Sequence, residues 1–457
     1  MFGFTTHPMI YRPRIPSTIL VICFLVIALF PVSFRAVWAK SPNDIVKPKQ
    51  IYTYDIMTRD IQALANKYPD LIQYRSVGKS EYNRNLWVIE VGHGPINVLL
   101  NGSHHAREWI STILLMEMTE QIAINEYNDA KWGNYQIRDL LEHITFQIVP
   151  MVNPDGVTLQ QKGLAAFPKQ DHAALLKMNG NSSNFKRWKA NAKGIDLNRQ
   201  YPADWENIKN QAPAPHYMNY KGKTPLQAKE AKAMFDLALS VKPAIAVSYH
   251  SSGEIVYWNY KTPADHLQRD LSLATTYSNM TGYRLIKPVS QPSGGGFTDW
   301  FIQEFGQPGL TPELSPAIGE RDVPYSNWDR IWKQNEDAAW LFGTTAVINE
   351  MDKLQPQEAI GWIELRKEAT AYEYPVLSVR TFGKLPIGNY EITRSKGDWL
   401  EIKSDEGHLR WISDRNSRRL SAEEIVVLLE LSVKEPQETE EPEQSADPVP
   451  PSEVEVR

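Results

Sequence analysis

His105 and Glu108 stand three residues apart in Gly102-Ser103-His104-His105-Ala106-Arg107-Glu108-Trp109. A tight loop running into a helix can aim an imidazole nitrogen and a carboxylate oxygen at this spacing toward one point. Both are zinc ligands, and two histidines with one glutamate form a catalytic set that keeps a position open for water. The pair alone is a weak signal, because His-x-x-Glu also arises as a solvated loop pair. Neither HExxH nor HxxEH occurs in the chain, so a third ligand has to come from far along the sequence. His250 fits that role. It closes the apolar run Ala244-Ile245-Ala246-Val247-Ser248-Tyr249, which reads as a buried strand, and ligand sites in open α/β sheets gather at the carboxyl ends of strands.

The elements that must position these residues alternate between strand and helix. Trp87 to Val91, Asn97 to Leu100, Ile144 to Val149 and Ala244 to Tyr249 read as strands. Helices are expected from a Thr58 cap, with Ile61, Leu64, Ala65 and Tyr68 on one face. Others are expected over Trp109 to Tyr127, over Thr224 to Leu239 with Pro225 in the first turn, and over Tyr325 to Val347. The pattern predicts an α/β catalytic domain over 51–348, with a mixed, largely parallel central sheet flanked by helices.

Five separated motifs occur in order: Gly102 to Trp109, Pro150-Met151-Val152-Asn153-Pro154-Asp155-Gly156, Gly194-Ile195-Asp196-Leu197-Asn198-Arg199, Ser248-Tyr249-His250-Ser251 and Thr311-Pro312-Glu313-Leu314. On these motifs the chain resembles the zinc carboxypeptidase family over roughly Tyr52 to Val347. The resemblance implies one Zn2+ per chain, held by His105, Glu108 and His250. It makes Glu313 the general base, a carboxylate able to take a proton from water and pass it to the leaving amine. It assigns Asn198 and Arg199 to the substrate's terminal carboxylate, which suits the planar fork of arginine, and places Arg107 at the border of the cleft.

Two positions depart from the family pattern. Lys189 follows Trp188 where an oxyanion-stabilising arginine is expected. Lysine still brings positive charge, without the fork, and Arg187 is the alternative. The mobile tyrosine of carboxypeptidase A should precede the glycine pair near Gln291 to Ser293, and no tyrosine stands there. The specificity floor falls at Gly294 to Trp300, where Thr298 disfavours both a large apolar and a simple basic side chain. Ser251 to Trp258 is similar to the bacterial branch that includes γ-D-glutamyl-diamino acid peptidases, and Glu254 could accept the ammonium of a diamino acid.

Beyond the catalytic domain, β-like runs separated by turn signals fill 361–415: Trp362 to Leu365, Asn389 to Thr393, Trp399 to Ile402 and Leu409 to Ile412. This segment resembles a bacterial SH3-like module, a type that often binds cell-wall peptides. Ser421 to Leu431 reads as a short helix, and 434–457 as a disordered acidic tail. At the other end, 1–39 reads as an export signal, with Arg12 and Arg14 before the apolar run Ile19 to Phe30. A retained membrane anchor is the alternative, although twelve helical residues span roughly 18 Å against a hydrocarbon core of ~30 Å. The only cysteine, Cys23, lies inside that run, so a processed chain could form no disulfide and no thiolate metal site.

The net charge of -5 argues against a nucleic-acid binder, and no stable partner is inferred. The expected protein is a secreted or wall-associated zinc metallopeptidase acting on a peptide or peptidoglycan stem peptide, with cell-wall binding through 361–415. The alternatives are a broad extracellular metallocarboxypeptidase and an inactive zinc-containing wall-binding protein.

Overall fold

The computed structural model describes residues 44–133, 135–375, 381–404 and 406–434. The export segment 1–39 and the acidic tail beyond 434 lie outside the described residues.

The strands are β1 (Ile72–Lys79), β2 (Asn85–Gly92), β3 (Ile96–Gly102), the two-residue β4 (Lys131–Trp132) and β5 (Tyr135–Gln136), β6 (Ile144–Val149), β7 (Ile245–Ser251), β8 (Ile255–Tyr257), β9 (Arg284–Leu285) and β10 (Gly309–Leu314). Apart from the small β4–β5 hairpin, they form one eight-stranded sheet in the order β1-β2-β6-β3-β7-β10-β8-β9. Its centre, β6-β3-β7-β10, is parallel. The β1-β2-β6 side and the β10–β8 pair are antiparallel.

Period-two alternation sorts the side chains of this sheet into two cores. Val98, Leu100, Ile245, Val247, Tyr249, Val256, Leu310 and Leu314 face one core. Leu99, Ala246 and Val149 face the other. A central parallel strand is covered on both faces, which is why Ala244 to Tyr249 is apolar at every position but Ser248.

Helices close both faces. On the first lie α2 (Ile110–Tyr127), contributing Ile113 and Leu114, and α10 (Ala338–Asp352), contributing Phe342 and Ala346. On the second lie α6 (Lys229–Val241), contributing Met234 and Leu237, and α8 (Phe297–Phe305), contributing Trp300 and Phe301. The remaining helices are α1 (Tyr54–Lys67), α3 (Ile137–His143), α4 (Pro154–Lys162), α5 (His172–Met178), α7 (Ala264–Thr281), α9 (Trp328–Asn335) and α11 (Ala422–Lys434).

Several helix boundaries differ from the sequence expectation for local reasons. The first helix is capped by Thr53, whose hydroxyl accepts the Ile56 N–H. Thr58 lies inside it and accepts from the Trp87 indole at 3.1 Å. The expected helix over Thr224 to Leu239 starts only at Lys229. Gln200 holds the preceding chain as a turn, its carbonyl accepting the Leu226 N–H and its side chain the Ala228 N–H. Tyr325 to Val347 is a 3₁₀ turn and two helices, broken at Glu336–Asp337.

The described residues between 357 and 419 include the seven strands of a second, all-β sheet. The sequence singled out four of them. Thr381–Leu385 and Ser417–Arg419 are short edge strands, and Ala369–Tyr372 spans only four residues, too little for a clear alternation. This sheet is not a tethered bead. Tyr372, Trp399 and Trp411 are buried members of the first core of the α/β body. His143 stacks on Trp399 (ring centroids 5.0 Å apart) and bonds Asp398 at 3.1 Å. Asp139 accepts from Tyr372 and Thr370 at 2.9 and 3.0 Å.

Candidate active site

β3 ends at Gly102, and Ser103 takes a left-handed φ of 54° that turns the chain sharply. His105 follows, then a 3₁₀ turn over Ala106–Glu108. The turn is held from below. Asn153 donates to the carbonyls of His104 and Ala190, both at 3.1 Å, while its own oxygen caps α4 through Gly156. Ala106 N–H donates to the Lys189 carbonyl at 2.9 Å. A Cβ on Gly156 would stand 2.5 Å from the Ala190 carbonyl, so this position has no room for a side chain.

His250 comes from the carboxyl end of β7, on the face opposite Tyr249. The ligand atoms of His105, Glu108 and His250 lie within 4.8 Å of one another, and all three residues are buried. The Glu108 carboxylate oxygens lie 3.0 Å from His105 Nδ1 and 2.9 Å from His250 Nδ1. The two Nδ1 atoms face each other at 3.0 Å. Burial pushes the Glu108 carboxyl up, but the two imidazoles overcome this and hold it well below the usual range. Burial and the neighbouring imidazoles also hold His104 well below its ordinary value.

This arrangement fits a cation. Three buried donor atoms converge with their lone pairs on one point, and two nitrogens and a carboxylate oxygen suit zinc. The tautomers agree with that use. His105 Nε2 faces the Asp196 carboxylate at 3.1 Å, so its proton sits there and leaves Nδ1 free to ligate. His250 Nε2 lies 3.4 Å from the Ser248 hydroxyl, which in turn reaches Asn101 at 2.7 Å.

Residues 57–335 match the zinc carboxypeptidase family, peptidase M14. The chain belongs to this family. It is 34% identical over 293 residues to γ-D-glutamyl-L-diamino acid endopeptidase 1 of Lysinibacillus sphaericus, covering 64% of this chain and 72% of that protein. It is 29% identical over 307 residues to the uncharacterized protein YqgT of Bacillus subtilis, covering 66% and 79%. Among solved structures, thrombin-activatable fibrinolysis inhibitor shares the fold, with a TM-score of 0.54 and 20% identity over 67% of this chain and 77% of its own. The protein is thus a peptide hydrolase of the zinc carboxypeptidase type, and zinc is the metal that the His–Glu–His cluster suits.

Around the centre of this zinc carboxypeptidase, Glu313 stands on β10, directly across from His250 on β7. Burial and then the Glu108 charge push its carboxyl up to about 8, against the opposing pull of Lys189 and Arg107. Lys189 Nζ lies 3.3 Å from Asp196. Arg187, the alternative to Lys189, is committed elsewhere. It donates to Asn179, its guanidinium lies 3.9 Å over the Tyr217 ring, and its carbonyl accepts from Arg107 at 3.1 Å.

Asn198 accepts the Phe297 N–H at 2.9 Å, an orientation that leaves its amide hydrogens available to donate. Arg199 donates to the Lys209 carbonyl at 2.8 Å and stands 3.6 Å from Asp196. The glycine run packs against this segment. A Cβ on Gly294 would stand 2.1 Å from the Ala203 carbonyl, and Gly295 has φ +91°. Thr298, buried in the first turn of α8, shares a 2.6 Å hydroxyl contact with Thr311 of β10.

Glu254 does not stand ready for an ammonium. Arg330 clamps both of its oxygens at 2.6 and 2.8 Å, and Gln334 adds a third bond at 3.1 Å. A substrate cation would have to displace a guanidinium.

Asp196 is the residue that sequence reasoning passed over. Fully buried, it gathers His105, Lys189, Arg199 and the N–H groups of Asn198 and Asn219. Burial pushes its carboxyl up, but Lys189, His105 and Arg199 hold it well below the usual range. The only sequence signal was an acid inside Gly194 to Arg199, which otherwise reads as a polar turn.

Proposed function

We propose that this zinc carboxypeptidase hydrolyses peptidoglycan stem peptides at the bond between γ-linked D-glutamate and a diamino acid. The observation that carries this reading is the 34% identity, over 293 residues, to an enzyme named for that bond. Export and retention at the cell wall, the latter through 361–415, belong to the same reading. The intact His–Glu–His cluster with Glu313 beside it favours an active enzyme over an inactive wall-binding protein.

His105, Glu108 and His250 would hold the metal, with Asp196 orienting His105. When bound, zinc supplies Lewis-acid polarisation of a carbonyl and lowers the pKa of water. Glu313 takes a proton from the attacking water as the new C–O bond forms. Lys189 sets positive charge beside the carbonyl oxygen as it gains negative charge. Glu313 then delivers the proton to the leaving nitrogen as the C–N bond breaks. Asn198, Arg199 and Arg107 hold a substrate carboxylate at the cleft, and Thr298 shapes the floor.

The test is product identification by mass after incubating the zinc-loaded protein with a diaminopimelate-containing stem peptide and with a plain apolar-ended peptide. Release at the D-glutamyl bond supports the reading. Loss of one C-terminal residue from the plain peptide alone moves the function to a general carboxypeptidase.

A further inference from the structure

A row of side chains crosses the sheet beyond the metal cluster. His250 of β7 pairs with Glu313 of β10, Glu313 with Ile255 of β8, and Ile255 with Arg284 of β9. Directly paired residues share a face of the sheet. The intervening positions confirm which face this is, since Val256 and Leu285 both pack into the core on the opposite side. Tyr257, two residues from Ile255, shares that face and pairs with Thr311, two residues from Glu313. At a strand spacing of about 4.8 Å, Arg284 lies about 10 Å from Glu313, measured between backbones. Its side chain is long enough to reach back over Ile255.

Arg284 and Tyr257 are both exposed, Tyr257 by 47%. The Arg284 guanidinium has no side-chain partner among the described residues, whereas the nearby Arg330 is fully occupied by Glu254. The Tyr257 phenol feels both charged neighbours. Burial and then the Glu313 charge raise the Tyr257 phenol, and Arg284 pulls it down. An unpaired guanidinium and a phenol on the open side of a peptidase cleft make a donor set for an anion, and arginine matches the geometry of a carboxylate.

We propose that Arg284 and Tyr257 form a second carboxylate-binding subsite, on the outer edge of the cleft and separate from Asn198 and Arg199. The inference rests on the stem-peptide reading above and names what that substrate offers. A γ-linked D-glutamate keeps a free α-carboxylate, and diaminopimelate carries a carboxylate at the far end of its side chain. Either presents the anion that the subsite takes.

The experiment measures kcat/KM of the zinc-loaded protein on three stem peptides: the parent, one with lysine replacing diaminopimelate, and one with D-isoglutamine replacing D-isoglutamate. Each replacement removes one of the two carboxylates. Arg284→Ala is expected to lower kcat/KM on the parent roughly 10- to 100-fold, chiefly through KM, as for loss of a charged hydrogen bond. It should leave the peptide that lacks the recognised carboxylate unchanged, and so identify which carboxylate is read. Tyr257→Phe should give a smaller loss in the same sense.

If Arg284→Ala lowers all three peptides equally or none of them, the subsite is overturned and the stem-peptide reading stands. If the wild type cuts no stem peptide, that reading fails. The subsite is then judged by calorimetric binding of the same three peptides, and it is overturned unless Arg284→Ala abolishes a carboxylate-dependent difference in Kd.

Discussion

Glu313 of β10 is paired in parallel register with His250 of β7, so the proposed base and a member of the metal cluster are fixed on adjacent central strands. Neither depends on a loop for its position. The only loop-borne ligands, His105 and Glu108, are clamped by Asn153 and by the Ala106 bond to Lys189. The centre is thus held in place by the backbone, and the predictions below follow from that.

Asp196 faces His105 Nε2 and pairs with Lys189. Asp196→Ala should weaken zinc binding by about 10- to 100-fold, the usual effect of removing a carboxylate behind a ligating histidine. Competition with a chromogenic chelator measures it. Unchanged affinity would mean that His105 is held by its own packing alone.

In the proposed mechanism Lys189 faces the oxyanion, because Arg187 is spent on Asn179 and Tyr217. Lys189→Ala should lower kcat by about 10²–10³-fold, with KM little changed. Lys189→Arg should retain activity, and Arg187→Lys should leave kcat near wild type. Steady-state kinetics of the three variants separate these outcomes.

Which features were legible in the sequence follows from the same physics. His250 was readable because a strand buried on both faces leaves a largely apolar run ending at the site. Asp196 was not, since a buried carboxylate amid polar neighbours has the same sequence appearance as a solvated turn. The start of α6 was hidden because the side chain and carbonyl of Gln200, distant in sequence, hold the Leu226–Ala228 turn. Glu254 was misread as available because its partner Arg330 is 76 residues away. The docking of the all-β sheet was invisible, as nothing in Trp399 or Tyr372 distinguishes an aromatic buried in its own module from one buried against a neighbour.

Trp399 fills the junction between the two sheets, stacked on His143 and fully buried. Trp399→Ala should cost about 3–5 kcal/mol. Because that aromatic belongs to the shared core, calorimetry should show one transition for the wild-type catalytic body and β module together. Two resolved transitions in the wild type would contradict a common core.

Glu230, buried on α6 beside Asp155, is pushed up to about 8, first by burial and then by the Asp155 charge. An unfolded chain releases this proton near pH 4.5. Between about pH 4.5 and 8 the folded state therefore holds a proton that the unfolded state has lost, and folding stability falls as pH rises. Glu230→Gln stays neutral throughout, so its stability relative to wild type should grow across that window and level off above it. Urea unfolding at pH 5, 7 and 9 measures the trend. A constant difference would show that Glu230 titrates normally.

The most direct test of the account is Glu313→Gln, assayed for bound zinc, peptide affinity and turnover in one preparation. The account predicts one zinc per chain, a Kd for peptide close to wild type, and kcat reduced by about 10²–10⁴-fold, the range for a lost general base. Retained turnover, or loss of zinc along with activity, would contradict the assignment of Glu313 as the proton carrier beside the metal.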